Sequence, residues 1–324
     1  MTNVLVTGGA GFIGSHLAQY LLDHGNHVRI LDNFATGRRS NVAALEGDIE
    51  LIEGDIQSYE RVNKAVAGCE VVFHLAALPS VPRSVQDPLT SNATNVIGTL
   101  NVLLAARDQA VRRVIYASSS SVYGSGDGTS PKQEDKPTKP ISPYATAKLA
   151  GEGYARSFHE VYGIETVALR YFNVFGPRQD PRSQYAAVVP NFIDALLAGH
   201  SPIIFGDGEQ SRDFTYVANV VQANVLAMDV PGVAGKVYNV ACGERVTLNH
   251  LIGELRDLMG SAIKPAYAAP RPGDIKHSVA DLSLARSELG YEPSVLLREG
   301  LERTIEHFEE TELASDAQRL SGVR

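Results

Sequence analysis

The sequence predicts an α/β fold: a doubly wound parallel sheet joined to a smaller mixed α/β lobe. Three observations carry that reading. Short β-rich runs alternate with helical patterns through the first half, near residues 3–7, 27–32, 49–53, 70–76, 112–118 and 165–171, the pattern of a sheet with helices on both faces. The runs Val71-Val72-Phe73 and Val114-Ile115-Tyr116 are apolar without alternation, as in strands buried on both sides. Beyond about residue 173, Gly206-Asp207-Gly208, Pro231-Gly232 and Arg271-Pro272-Gly273 break the chain into short elements.

A chain of 324 residues suits two domains at roughly 100–200 residues each. The expected division is 1–172 for the sheet and 173–312 mainly for the second lobe, with some chain returning to the sheet. Residues 313–324 lack periodicity and are expected to form a frayed tail. The longest amphipathic segments run from Asp87 to Gln109 and from Ser142 to Val161, and further helices are expected near 247–259 and 296–311.

Hydrophobic residues at 44% and charged residues at 20% exclude a disordered or collagen-like chain. The formal charge of −8 argues against a nucleic-acid partner, which needs clustered cations. No apolar run approaches the ~20 residues that span a bilayer, so no membrane partner is expected. Cys69 and Cys242 stand far apart without metal-ligand spacing, and no metal is expected. His24 and His27 flank a Gly25-Asn26 turn with no third ligand, and His74 reads as a hydrogen-bonded core residue. The chain enters a strand at once, without a leader segment, and two cysteines suit a reducing cytoplasm.

The first strand runs into Thr7-Gly8-Gly9-Ala10-Gly11-Phe12-Ile13-Gly14-Ser15 and a helix. Gly8 permits the tight turn, Gly11 lets backbone approach a pyrophosphate, and Gly14 lets helix pack on strand. The helix N-terminus, with Phe12 and Ile13, offers N–H groups to phosphates. Asp32 ends the second strand, 24 positions after Gly8, and suits ribose hydroxyls while repelling a 2′-phosphate. With its neighbour Asn33 it favours NAD as cofactor, although Arg38 and Arg39 leave a 2′-phosphate open. This is a Rossmann-type site.

Tyr144 and Lys148 lie four apart behind Ser142 and Pro143, which can cap and open a helix. The spacing puts both on one helical face. A phenol with pKa near 10 is a poor base at neutral pH, and a neighbouring ammonium together with the positive nicotinamide ring would favour its phenolate. Ala117-Ser118-Ser119-Ser120-Ser121-Val122-Tyr123-Gly124 closes another strand, at the carboxyl edge where open α/β sheets bind ligands.

These motifs resemble the extended short-chain dehydrogenase/reductase superfamily, in its NAD-dependent nucleotide-sugar epimerase/dehydratase branch, over about residues 3–310. The resemblance implies that Tyr144 is the acid/base, Lys148 its activator and ribose anchor, and Ser119 the hydroxyl that shares the substrate's proton, with Ser120 its neighbour at the substrate. It implies that Asp55 and Ile56 flank the adenine, that Leu75, Ala76, Ala77 and Asn95 line the cofactor groove, and that Tyr171 sits near the nicotinamide. Dehydratases of the branch carry an Asp-Glu pair where this chain has Ser120-Ser121, and decarboxylases commonly have a glutamate there. The expected fate of a 4-keto sugar is therefore to turn over and regain hydride, which is 4-epimerisation.

In the second lobe, Asn173, Arg212 and Arg271 resemble diphosphate contacts and Asp274 a ribose contact. Ala77 to Ser84, Arg178-Gln179-Asp180-Pro181, Tyr185 to Pro190 with Val188, and Gly273 to Ser278 are similar to bacterial epimerases acting on UDP-N-acetylhexosamines. Ser278 falls where strict UDP-glucose epimerases carry tyrosine, which implies room for an acetamido group. Pro79 departs from galactose-type enzymes, which often have lysine there. The partners implied are a UDP-sugar and a second copy of the chain. Two other readings stand: a UDP-hexuronic acid 4-epimerase, with Arg83 facing the C6 carboxylate, and a non-catalytic NAD-binding regulator.

Overall fold

The computed structural model describes residues 1–125, 130–181, 187–270 and 275–321. Its first half alternates β1 (Asn3–Thr7), α1 (Phe12–Asp23), β2 (His27–Asp32), α2 (Arg39–Ala43), β3 (Ile49–Glu53), α3 (Tyr59–Val66) and β4 (Val71–His74). The short helices α4 (Val81–Gln86) and α5 (Pro88–Asn92) lead through one π-helical turn, Ala93–Ile97, into α6 (Gly98–Asp108). Next come β5 (Arg113–Ser119), a 3-10 turn at Ser120–Tyr123, α7 (Pro143–Tyr162) and β6 (Glu165–Tyr171).

Shorter elements follow: β7 (Val174–Phe175), α8 (Val188–Leu197), β8 (Ile203–Phe205), β9 (Ser211–Arg212), β10 (Thr215–Tyr216) and α9 (Val217–Asp229). The chain then forms β11 (Lys236–Val240), β12 (Val246–Thr247), α10 (Leu248–Leu258), β13 (Ala266–Ala268) and α11 (Leu297–Ser321).

Seven strands form one sheet in the order β11-β6-β5-β4-β1-β2-β3, every pair parallel. The order reverses at β1, and the ends of β1 and β4 there open the crevice in which such sheets bind ligands. Side chains alternate across the sheet. Val4 and Val6 join the core under α1 and α9, whereas Leu5 joins the opposite core with Val72 and Val114. Both faces are covered, so apolar residues suit both parities of each strand. A separate cluster, with Phe192, Ile193, Phe214, Leu251 and Leu301 at its centre, builds the second lobe.

Four expected strands have the observed bounds, and β4 and β5 differ by one or two residues. The seventh strand, β11, was not foreseen. It lies in the broken half of the chain, yet it returns to pair with β6, while α9 packs on the sheet core. The expected frayed tail is replaced by helix: α11 continues through Thr311 to Ser321. Its first turns are anchored by buried Leu301, Ile305 and Phe308, and the residues beyond are mostly good helix formers, which need no periodic pattern to continue a helix. No helix among the described residues is long and apolar enough to cross a membrane.

Candidate functional site

The glycine turn has the geometry that a dinucleotide needs. Gly8 adopts φ +73°, and a Cβ on it would stand 2.8 Å from backbone of Ala76. A Cβ on Gly14 would lie 2.2 Å from the Gly8 carbonyl oxygen, and one on Gly11 3.1 Å from the same atom. Gly11 is the N-cap of α1 and has no side chain to cap it, so the N–H groups of Phe12 and Ile13 remain for an anion.

Asp32 is buried at the end of β2; its carboxylate accepts from Ala10 N at 2.9 Å and Phe34 N at 2.8 Å. Burial raises its pKa, and the two N–H groups oppose the rise. Each oxygen keeps lone pairs for a ribose. Arg38 is paired with Asp180, and Arg39 with Glu53 at 2.7 Å. Both cations that left a 2′-phosphate open are thus engaged with carboxylates. Asn33 donates to Asp55 at 2.8 Å, tying the ends of β2 and β3 together, and Ile56 packs against Gly98.

Leu75, Ala76 and Ala77 are half-buried just past β4. Leu75 N donates to the Thr7 carbonyl and Ala76 N to the Thr7 hydroxyl, each at 3.2 Å. Buried Asn95 accepts from Leu78 N at 2.8 Å and donates to the Leu78 carbonyl at 3.1 Å, which fixes this rim. Beneath it, Thr99 Oγ1 donates to the Asn95 carbonyl at 2.7 Å. His74 Nε2, 2.9 Å from that hydroxyl, must then be the donor to it. Nδ1 accepts from the Thr7 hydroxyl at 2.8 Å. His74 is a neutral core residue, and burial lowers its pKa to about 3.

The second half of the site forms where α7 crosses the end of β5. Ser142 caps α7, accepting from Ala145 N at 3.2 Å, and Pro143 occupies the first turn. The backbone N–H of Tyr144 donates to Ser84 Oγ at 3.1 Å, which seats α4 against this helix start. Tyr144 lies beside Ser119, whose hydroxyl acts to lower the phenol pKa. Ser119 Oγ also receives Ser121 N at 3.2 Å and lies 2.9 Å from Ser121 Oγ; neighbouring Ser120 is half-buried. Lys148 is buried, and its Nζ donates to the Ala117 carbonyl at 2.8 Å, which leaves two of its three protons for a ligand.

Burial pushes the Tyr144 phenol up to about 12, with the Ser119 hydroxyl pulling the other way. Burial draws Lys148 down to about 8, opposed by the charge of Glu152. The protein alone thus keeps Tyr144 protonated, and the expected phenolate calls on the positive nicotinamide ring as well as the ammonium. Its ammonium stands 6.0 Å from the Tyr144 ring centre.

A cavity of about 500 Å³ in the second lobe is lined by Asn173, Val188 and Arg212, together with Phe205, Gln210 and Phe214. Three expected substrate residues thus line one cavity, joined by Phe205, Gln210 and Phe214, which are not among the expected substrate residues. Arg212 Nη1 donates to the Ser211 carbonyl at 2.9 Å. Asn173 holds φ +26° and donates to the Asp213 carbonyl at 3.3 Å. Ser278 is half-buried beside this wall, its N–H on the Ser211 carbonyl at 3.1 Å, and does not line the cavity. Arg271 and Asp274 lie outside the described residues. Tyr171 is opposite Ser119 in the sheet register, but its buried hydroxyl is bonded to Asn224 on α9, 2.8 Å from Nδ2, rather than offered to a ligand. Among the described residues no His/Cys/Asp/Glu group could hold a metal.

A parallel sheet with a glycine turn at its first crossover and a Tyr-x-x-x-Lys pair at its carboxyl edge defines a short-chain dehydrogenase/reductase. Residues 4–241 match the model of the NAD dependent epimerase/dehydratase family, and the chain belongs to that family, with NAD as its cofactor. It is 41% identical over 308 residues to the UDP-glucose 4-epimerase of Mycolicibacterium smegmatis, covering 94% of this chain and 97% of that one. The UDP-N-acetylglucosamine 4-epimerase of Methanobrevibacter ruminantium M1, solved in complex with UDP-N-acetylmuramic acid, superposes with a TM-score of 0.91 at 44% identity, covering 96% and 99% of the two chains. The UDP-glucuronic acid 4-epimerase of Bacillus cereus, solved with UDP-glucuronic acid and NAD, gives 0.89 at 34% identity, covering 95% and 99%.

Proposed function

We propose that this enzyme is a UDP-hexose 4-epimerase that interconverts UDP-GlcNAc with UDP-GalNAc, and UDP-glucose with UDP-galactose, through a transient 4-keto sugar. Tyr144 takes the proton of the sugar 4-hydroxyl, with Ser119 sharing it, and returns it after the sugar has turned. Lys148 stabilises the phenolate and anchors the cofactor ribose. When bound, NAD supplies the hydride acceptor and donor at C4 and a positive ring near the phenol. Bringing Tyr144 from about 12 to neutrality takes about 7 kcal/mol at 1.36 kcal/mol per unit, a task shared by that charge and the ammonium.

The observation that carries the reading is the chemistry around Tyr144: hydroxyls stand at Ser119, Ser120 and Ser121, and among the described residues no carboxylate stands in that stretch to drive elimination. The carboxylate of Glu152 is paired with Arg170 and the Ser118 hydroxyl. Asn173, Val188 and Arg212 are assigned to the nucleotide diphosphate half of the substrate, with Arg271 and Asp274. Arginine forks suit diphosphate oxygens. The small Ser278 is assigned as the gate that admits an acetamido group. Exposed Leu89, Ile97, Tyr154 and Val161 on and beside α5 and α7 support a homodimer through these helices.

The test is an NMR time course of purified protein with UDP-GlcNAc and no added cofactor. Appearance of UDP-GalNAc supports the reading. Conversion of UDP-glucuronate alone would move the assignment to a hexuronic acid epimerase, the reading favoured by half-buried Arg83 beside Ser84.

A further inference from the structure

Behind the reacting groups lies a buried ion pair that the proposed reaction does not itself use. Arg170 on β6 and Glu152 on α7 form a two-pronged contact, Nε to Oε1 at 2.9 Å and Nη2 to Oε2 at 2.8 Å. Their side chains are only 5% and 6% exposed. The Ser118 hydroxyl donates to the same Glu152 Oε1 in a short hydrogen bond. The guanidinium also lies 4.6 Å from the centre of the Tyr123 ring, and the Tyr123 hydroxyl donates to Asn239 at 2.7 Å.

The sequence position of Glu152 makes this pair consequential. Tyr144, Lys148 and Glu152 are spaced four apart on α7, so they form one stripe along the helix. Each meets the end of β5: Tyr144 at Ser119, Lys148 at the Ala117 carbonyl, Glu152 at Ser118. Ser118 is the link between the acceptor of Lys148 and the partner of Tyr144. A buried ion pair costs much desolvation and is weak evidence for stability, so a positional role is the more economical account.

We propose that Glu152 and Arg170 are positioning residues for proton transfer: the pair holds Ser118, and through it Ala117 and Ser119, in register with Lys148 and Tyr144, and keeps an anion one helical turn behind the ammonium. This deepens the epimerase reading and rests on its assignment of Tyr144 and Lys148. The titratable and charged groups around Lys148 are Tyr116 on β5, with its ring centre 5.1 Å from Nζ, neutral His74 on β4, Tyr144 and Glu152 on its own helix, and Arg170 on β6 behind Glu152. Glu134 accompanies Arg170, taking Nη1 on its carbonyl at 3.4 Å.

The test uses the holoenzyme and reads kcat, KM, bound NAD and the alkaline limb of the pH–rate profile with the UDP-sugar it turns over. E152Q removes the anion and leaves Arg170 uncompensated, so Lys148 loses its proton at lower pH. The limb is expected to move down by about one unit. E152Q/R170M removes both charges and should bring the limb back toward wild type. S118A keeps the charges and cuts the tether; kcat should fall about tenfold at unchanged KM and NAD content, because small misplacements of reacting groups are costly. A purely structural pair would lower thermal stability in these variants without moving the limb. A limb that stays in place in E152Q, or an unchanged kcat in S118A, overturns the proposal; if E152Q does not fold, S118A decides. Y144F separates the two levels. If it keeps turnover, the site assignment itself is wrong; if it abolishes turnover while the limb stays fixed, only the positioning role fails.

Discussion

A Cβ atom on Gly151 would lie 2.2 Å from the hydroxyl oxygen of Tyr116. Tyr116 is fully buried in β5, and its hydroxyl donates to the Lys148 carbonyl at 3.3 Å. A glycine inside a helix costs about 1 kcal/mol against alanine, so an ordinary helix would gain from the exchange. Here Gly151→Ala must push either a large ring or the helix carrying Tyr144 and Lys148. Overpacking of about 1–3 kcal/mol should outweigh the propensity gain. We expect a net loss of stability by urea titration, with kcat reduced more than KM raised. A variant as stable and active as wild type would show that α7 is free to shift.

Neutral His74 makes stability depend on pH with a definite sign. Its folded pKa is lowered from 6.5 to about 3, so below pH 6.5 the unfolded chain takes up a proton that the folded chain refuses. Stability is present above pH 6.5 and is lost as pH falls toward 3, by about 5 kcal/mol in full. Roughly 2 kcal/mol of this should go between pH 6.5 and 5. His74→Gln removes the titrating group. The difference between wild type and variant in urea-unfolding free energy should therefore change by about that amount between pH 7 and 5. A constant difference would mean that the ring titrates in the fold as it does in the unfolded chain.

Local signals in the chain located the elements, and pairings distant in sequence remained hidden. Continuous apolar runs marked β4 and β5 because burial on both faces leaves no alternation to misread. Lys236–Val240 is broken by Asn239 and stands between turns, and only the sheet gives it a partner in β6. Ser142 and Pro143 announced the start of α7, and the spacing of Tyr144 and Lys148 announced their shared face. That Ser119 meets Tyr144 follows from how β5 and α7 cross, which the motif resemblance supplied and periodicity alone could not. Glu152 was legible only as a further i+4 position; its pairing with Arg170 spans a helix and a strand. The partner of the Tyr171 hydroxyl stayed hidden for a related reason, since Asn224 comes from a helix 53 residues away.

The close approach at the first turn predicts a specific loss of cofactor. With a Cβ of Gly14 placed 2.2 Å from the Gly8 carbonyl oxygen, Gly14→Ala must lift α1 from the turn. The N–H groups of Phe12 and Ile13 then move away from where a pyrophosphate sits. We expect the variant to purify with less than about a tenth of the wild-type NAD content, the loss of a tenfold affinity or more corresponding to about 1.4 kcal/mol. Acid extraction and chromatography of bound nucleotide measures it. Full retention of NAD would show that the pyrophosphate is held elsewhere.

Ser278 provides the test of substrate choice. Its N–H is fixed on the Ser211 carbonyl at 3.1 Å, and neighbouring His277 places Nδ1 2.9 Å from Ser211 Oγ. The backbone here is thus tied to the strand that carries Arg212, one of the cavity-lining residues. A side chain enlarged at 278 cannot escape by moving the loop without breaking both ties. Ser278→Tyr should therefore narrow the sugar site rather than displace it. Plain hexoses should keep their turnover, while kcat/KM for the acetamido sugars falls by roughly a hundredfold, about 2.7 kcal/mol of transition-state binding. Parallel time courses with UDP-GlcNAc and UDP-glucose read the two arms against each other. Equal losses on both would mean that the tyrosine disturbs the nucleotide grip through Arg212, and undiminished acetamido turnover would remove Ser278 from the specificity argument altogether.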